Sequence, residues 1–201
     1  MMYIRKQNRF TEKQIYPYIS LEDFRLDLLS RIRKMATNNI EGVHSWESMS
    51  DEELLRSAGL YGKDRATGES GYNLAAVMLL GKDEVIMDIV PAYVTDALLR
   101  RINMDRYDDR EIVQTNLIES YELLMEFARK HLPDKFFMEG DQRKSLRNII
   151  TREMIANTLI HREYTSPYQA KFVIEKDRMY VENATGLLRM RLLHRIIWSH
   201  S

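Results

Sequence analysis

The chain has 201 residues, 44% of them hydrophobic and 30% charged, and its thirty basic and thirty acidic side chains cancel to a formal net charge of zero. That composition excludes a disordered chain, suits one large domain or two small ones, and leaves any electrostatic partner to local patches. The absence of cysteine excludes disulfides, thiolate zinc sites and cysteine nucleophiles, and no apolar run approaches the roughly 18–20 residues of a membrane span.

The opening "MMYIRKQNRF" alternates loosely, as a short terminal strand does, and no continuous apolar segment follows its basic residues, so it is not a signal peptide. From Met1 to Lys34 there are eight Lys or Arg against four Asp or Glu. Arg5, Lys6, Arg9 and Lys13, interleaved with Tyr3, Phe10 and Tyr16, suit contacts to a phosphate backbone, and equally a solvated positive face. Next, "SLEDFRLDLLSRIRKMATNN" predicts a helix. Ser20 is its N-cap, Asp23 sits in the dipole-favoured first turn, and Leu21, Phe24, Leu28 and Ile32 keep helical spacing. "SMSDEELLRSAGLYG" repeats the logic, with Ser50 as cap, three acids in the first turn and Gly59 at the end. After the polar loop "KDRATGESG", "YNLAAVMLLG" predicts a compact apolar helix ending at Gly81, so residues 19–83 read as mainly helical.

The β-branched "DEVIMDIVPAYVTDALL" predicts one or two strands bent at Pro91. From about Asp109 to His131 the pattern is a long amphipathic helix with Val113, Leu117, Ser120, Leu124 and Phe127 inward, stopped by Pro133. Arg147 to Arg162 is a further helix. "YQAKFVIEKDRMYVEN" alternates at Ala170, Phe172 and Ile174, turns at "EKDR", and alternates again at Met179 and Val181, which predicts a β-hairpin. The closing "GLLRMRLLHRIIWSHS" is apolar and basic and suits a helix.

The helix over "TREMIANTLIHREYT" carries a polar row, Glu153, Asn157 and His161, each four residues from the last. At about 100° per residue Asn157 lies about 40° from Glu153, with Leu146, Ile149, Ile150, Ala156 and Ile160 within about 60° and His161 about 80° round. Glu153 and Asn157 are therefore expected inside an apolar arc, on a helix packed on two faces. A buried carboxylate must be paired or used. Either Glu153 pairs with a nearby base and Asn157 caps a neighbouring element, or the two form a site, the carboxylate activating water and the carboxamide oxygen ligating Mg²⁺. A zinc helix is not indicated, because such helices use two histidines at i and i+4.

The spacing of Arg152-Glu153, Asn157, His161-Arg162 and Tyr164, followed by the hairpin, resembles the ATPase-like region of bacterial RecG-like helicase-related transcriptional regulators. These join a Schlafen-type AlbA-like DNA-binding domain to a region similar to the GHKL ATPases, the group of gyrase, heat-shock chaperones, histidine kinases and MutL. The resemblance implies an α+β chain. The end of an AlbA-like domain occupies 1–18 and a helical linker subdomain 19–83. An incomplete GHKL-like α/β sandwich, N-box helix plus β-hairpin, fills 84–183, and a divergent tail 184–201. It further implies that Asn157 coordinates the Mg²⁺ of a bound ATP, that Glu153 is the general base, and that His161 and Arg162 lie near the phosphates or the helix end.

Two departures bear on that expectation. Most of the AlbA-like domain is missing, and the Asn-Pro-Gly-like turn reads "ENATG", after which the glycine-rich segments of the adenine pocket and lid do not follow. A chain cut at both ends fits this, and ATP hydrolysis is not expected of it. No Walker-type glycine-lysine loop is present, so no helicase motor is expected. The resulting expectation is a cytoplasmic, DNA-associated transcriptional regulator with a degenerate or partial ATP-binding module. The alternatives are a Mg-dependent ATP-binding protein of GHKL type and a non-catalytic homodimerisation module; no membrane partner is expected.

Overall fold

The computed structural model describes residues 11–37, 45–185 and 188–194. The architecture is α+β, as the sequence predicts, in two compact units, residues 1–86 and 87–201. Among the described residues no helix is long and apolar enough to cross a membrane.

The first unit is built on capped helices. Ser20 is the expected N-cap, with Asp23 as its partner, but of a single 3₁₀ turn; helix α1, Leu26–Thr37, begins only after Phe24 has made a bridge to Gly81. Helix α2, Asp51–Ser57, starts at Ser50. The Ser50 Oγ accepts from Glu53 N at 3.3 Å, and Glu53 accepts in return from Ser50 N at 2.8 Å. Just beyond it Gly59 takes φ +73, the left-handed turn that ends helices. The stretch read as mainly helical also holds a three-stranded sheet, in which β3, Ser70–Asn73, lies between β1, Ile15–Tyr16, and β2, Tyr61–Lys63. Gly71 allows this pairing, because a Cβ there would stand 2.9 Å from Pro17 Cα and Tyr16 O. Helix α3, Leu74–Leu80, is capped by Asn73 and buries Leu74, Ala76, Val77, Met78 and Leu80.

Residues 83–89 are helix α4, where strand had been expected. The β-branched run conceals a helical period, since Val85, Ile86, Ile89 and Val90 are the more buried positions, and Asp83 and Glu84 fill the dipole-favoured first turn.

The second unit is a five-stranded mixed sheet covered on one face by two helices. Strand β4, Thr95–Arg100, pairs antiparallel with β5, Asp109–Val113. The strand β5 corrects the expectation that the helix began at Asp109: its burial alternates with period two, and helix α5, Leu117–His131, starts only where Asn116 accepts from Glu119 N at 3.0 Å. A small hairpin, β6 (Met138–Glu139) with β7 (Gln142–Arg143), leads to helix α6, Leu146–Ile160. The chain returns as β8, Ala170–Glu175, parallel to β4, and β9, Met179–Thr185, completes the expected hairpin. The tail read as a helix is strand β10, Leu188–His194, antiparallel to β9, giving the order β10-β9-β8-β4-β5. An edge strand needs only a partner ladder, and neighbouring β9 supplies the hydrogen bonds that a helix would have made internally.

Ala97, Leu99, Val113, Phe172, Ile174, Met179 and Val181 form the sheet face that packs against Leu124, Phe127 and Ala128 of α5 and Met154, Ile155 and Leu159 of α6. Truncating Phe172, fully buried at the sheet centre, to Ala is expected to cost about 3–5 kcal/mol in urea unfolding. Ile102→Ser, at a side chain 92% exposed, should leave the midpoint within about 0.5 kcal/mol of wild type.

The β4–β5 loop is organised by one carboxylate. Asp108 accepts from the backbone N–H groups of Arg101, Ile102 and Asn103 at 2.6, 2.8 and 2.9 Å. These bonds, that from Ile102 foremost, hold its carboxyl below the usual range; Asp109 is lowered too, above all by Lys130. A carboxyl with a depressed folded pKa contributes stability that is fully present above its unfolded pKa, about 3.9, and lost as pH falls through the lower folded value. Asp108→Asn should therefore melt below wild type at neutral pH, and the gap should close as pH falls towards about 3.

Candidate functional site

Helix α6 carries the polar row, but with the opposite face inward. Thr151, Met154, Ile155, Thr158 and Leu159 are buried, whereas Glu153 is exposed, Asn157 half-buried, and Ile149 and Ile160 stand 41% and 67% exposed. The expected apolar arc around Glu153 is thus the outer face. The reason is the cost of dehydrating a carboxylate. The inner hydroxyls are satisfied within the helix, Thr151 donating to Arg147 O at 2.6 Å and Thr158 to Met154 O at 2.7 Å. Glu153 has no such internal solution and stays in water.

On that outer face the Asn157 Nδ2 donates to Glu153 Oε1 at 3.0 Å. The bond turns the Asn157 Oδ1 away from Glu153, and among the described residues nothing donates to that oxygen. A hard carboxamide oxygen and a carboxylate therefore lie one helical turn apart, open to solvent. Among the described residues no group of three or more His, Asp or Glu could enclose a metal ion. Mg²⁺ characteristically takes one or two protein oxygens and the rest from substrate phosphates and water, so this donor set suits an ion carried in by a nucleotide better than a free one.

The second half of the motif has a different environment. His161 is exposed and ends the helix, its N–H donating to Asn157 O at 3.1 Å. Arg162 is only 6% exposed. Its Nη1 donates to Val94 O at 2.9 Å and Thr95 Oγ1 at 3.4 Å, and its Nη2 to Ala92 O at 3.2 Å and Tyr168 O at 3.5 Å. The guanidinium lies 4.9 Å over the Tyr93 ring, and burial lowers its pKa, with Tyr93 and Tyr164 opposing that shift. Tyr164 donates to Leu159 O, and Tyr93 to Ser120 Oγ at 3.2 Å, so both tyrosines are also fixed. The Arg-x-Tyr half thus ties the end of α6 to the strands.

Asn183, at the point where the sequence match stops, completes this anchorage. Its Nδ2 donates to Thr158 O at 2.9 Å and His161 O at 3.2 Å, satisfying carbonyls that the helix end leaves open. The only sequence signal was its place in "ENATG". Of the basic residues assigned to DNA, Arg5, Lys6 and Arg9 lie outside the described residues; Lys13 is exposed at the end of the 3₁₀ turn Thr11–Lys13.

Residues 1–96 match the model of a domain of unknown function (DUF8451). No curated protein matches the chain. Among solved structures, the chain is similar to the DIP2311 protein from Corynebacterium diphtheriae, with a TM-score of 0.62 and 19% identity over 92% of this chain. The likeness is one of fold. The present chain spans 35% of that protein's length.

The two halves of the motif should separate by mutation. Arg162→Met is expected to destabilise the second unit by about 3 kcal/mol, the scale for breaking a buried charged network. Glu153→Gln, on the exposed face, should change the urea midpoint by no more than about 0.5 kcal/mol.

Proposed function

We propose that this chain is a cytoplasmic, DNA-associated regulator whose second unit binds a Mg-nucleotide on the outer face of α6 without hydrolysing it. The observation that carries this reading is the Glu153–Asn157 pair, hydrogen-bonded at 3.0 Å on the outer face of a helix whose C-terminal end is tied to two strands, β4 and β9. A ligand oxygen held on a rigid element loses little freedom on binding. Asn157 Oδ1 would meet the Mg²⁺ of ATP, and Glu153 would hold its water shell. The motif Arg152-Glu153, Asn157, His161-Arg162 and Tyr164 supports the nucleotide; the local basic excess before Lys34 supports the DNA. The lack of cysteine suits a reducing compartment.

Calorimetric titration of Mg-ATP tests the first half. Binding is expected that needs Mg²⁺, weakens at least about tenfold in Asn157→Ala, equivalent to 1.4 kcal/mol, and releases no phosphate. No heat in wild type, or equal affinity in the variant, would remove the nucleotide reading.

A second reading rests on Ile149 and Ile160, exposed on the same face. Such an apolar flank suits cover by a second copy of the chain. Sedimentation over a range of concentrations decides it, a dimer lost in Ile160→Asp being the supporting result and a monomer throughout the opposing one.

A further inference from the structure

Two buried side-chain polar atoms, Arg162 Nε and Asn183 Oδ1, have no hydrogen-bond partner among the described residues. One is a donor and the other an acceptor. Their side chains belong to residues 6% and 5% exposed. Native structures rarely leave such groups unmet, and two in one place call for an explanation.

They share a neighbourhood. Asn183 holds the carbonyl of His161, the residue before Arg162. On β9 it stands one residue beyond the Lys171↔Glu182 pair, at the level of Ala170 on β8. The Ala170 N–H donates at 3.0 Å to Val94 O, the same oxygen that accepts from Arg162 Nη1. Asn183 lies two residues from Val181, whose side chain is in the helix-facing core, so it points to the side of the sheet where α6 lies. The orphan donor and the orphan acceptor therefore both lie beneath the C-terminal end of α6, at the end of the sheet where β4 and β8 begin.

We infer that a buried water molecule bridges Arg162 Nε and Asn183 Oδ1. The chemistry selects water over other occupants. An anion would meet the Asn183 carbonyl oxygen, a cation would meet the guanidinium, and both atoms are closed off from solvent. A single molecule that accepts from Nε–H and donates to Oδ1 satisfies both. The water completes the lock on α6, joining the Arg162 network on β4 to the Asn183 cap on β9. The site is independent of whether α6 binds a nucleotide.

A crystal structure of the full chain at a resolution that shows ordered water tests this. The expected result is a solvent peak within about 3.2 Å of both atoms, lost in Asn183→Leu. A direct Nε–H···Oδ1 hydrogen bond, or an empty gap between the two, overturns the proposal. Should Asn183→Leu fail to fold, wild type alone decides: in solution the Arg162 Nε–H should show a magnetisation-transfer peak to a long-lived water, and a resolved Nε–H without one contradicts the site.

Discussion

The buried guanidinium of Arg162 is the constraint on which the second unit depends. It carries a positive charge into the interior, and the contacts described for it are carbonyls, a hydroxyl and an aromatic face, with no carboxylate among them. A charge in that position is tolerated only where hydrogen-bond acceptors are already arranged around it. The carbonyls of Ala92 and Val94 lead into β4, and that of Tyr168 leads into β8, so one side chain gathers the starts of two parallel strands and the end of the helix that connects to them. Parallel strands are distant in sequence and cannot be joined by a tight turn. Here the crossover is fixed at its return point by Arg162, two residues beyond the end of α6.

That constraint explains why the polar motif divides in two. Everything after Asn157 in the motif faces inward or ends the helix: His161 closes it, Arg162 ties it down, and Tyr164 bonds back to Leu159. Everything before faces water, and Glu153 and Asn157 are left as the chemically available pair. The structural half fixes the helix, and the outer half offers oxygens to solvent. The ligand remains a proposal that rests on the exposed pair and on the sequence motif.

Much of the fold was legible in the sequence where a local rule agreed with tertiary packing. The Ser50 cap, the turn at Gly59 and the alternation of Ala170, Phe172 and Ile174 are examples. Beyond the small sheet hidden in the helical stretch, three elements were not legible, each for its own reason. The run 83–89 is rich in β-branched residues yet buries them at helical spacing. The strand Asp109–Val113 is too short for its period of two to stand out against the helix that follows. The strand Leu188–His194 takes its identity from β9, since its ladder is an edge contact with no signature in its own residues. The site failed differently. Helix α6 is apolar on both faces, so a wheel alone cannot choose the buried one; two threonines able to satisfy their hydroxyls internally mark it, and a carboxylate that cannot marks the other. A lone arginine after a helix looks like a solvated or phosphate-binding residue until the carbonyls around it are known.

The most direct test of this division is a titration of Mg-ATP followed by nitrogen–proton spectra that resolve the Asn157 side-chain amide and the Arg162 Nε–H together. On binding, the Asn157 amide and the backbone of the outer face of α6 are expected to shift while the Arg162 signal stays in place. A shift at Arg162 with Asn157 unmoved would contradict it, and would make the buried half of the motif the one that meets the ligand.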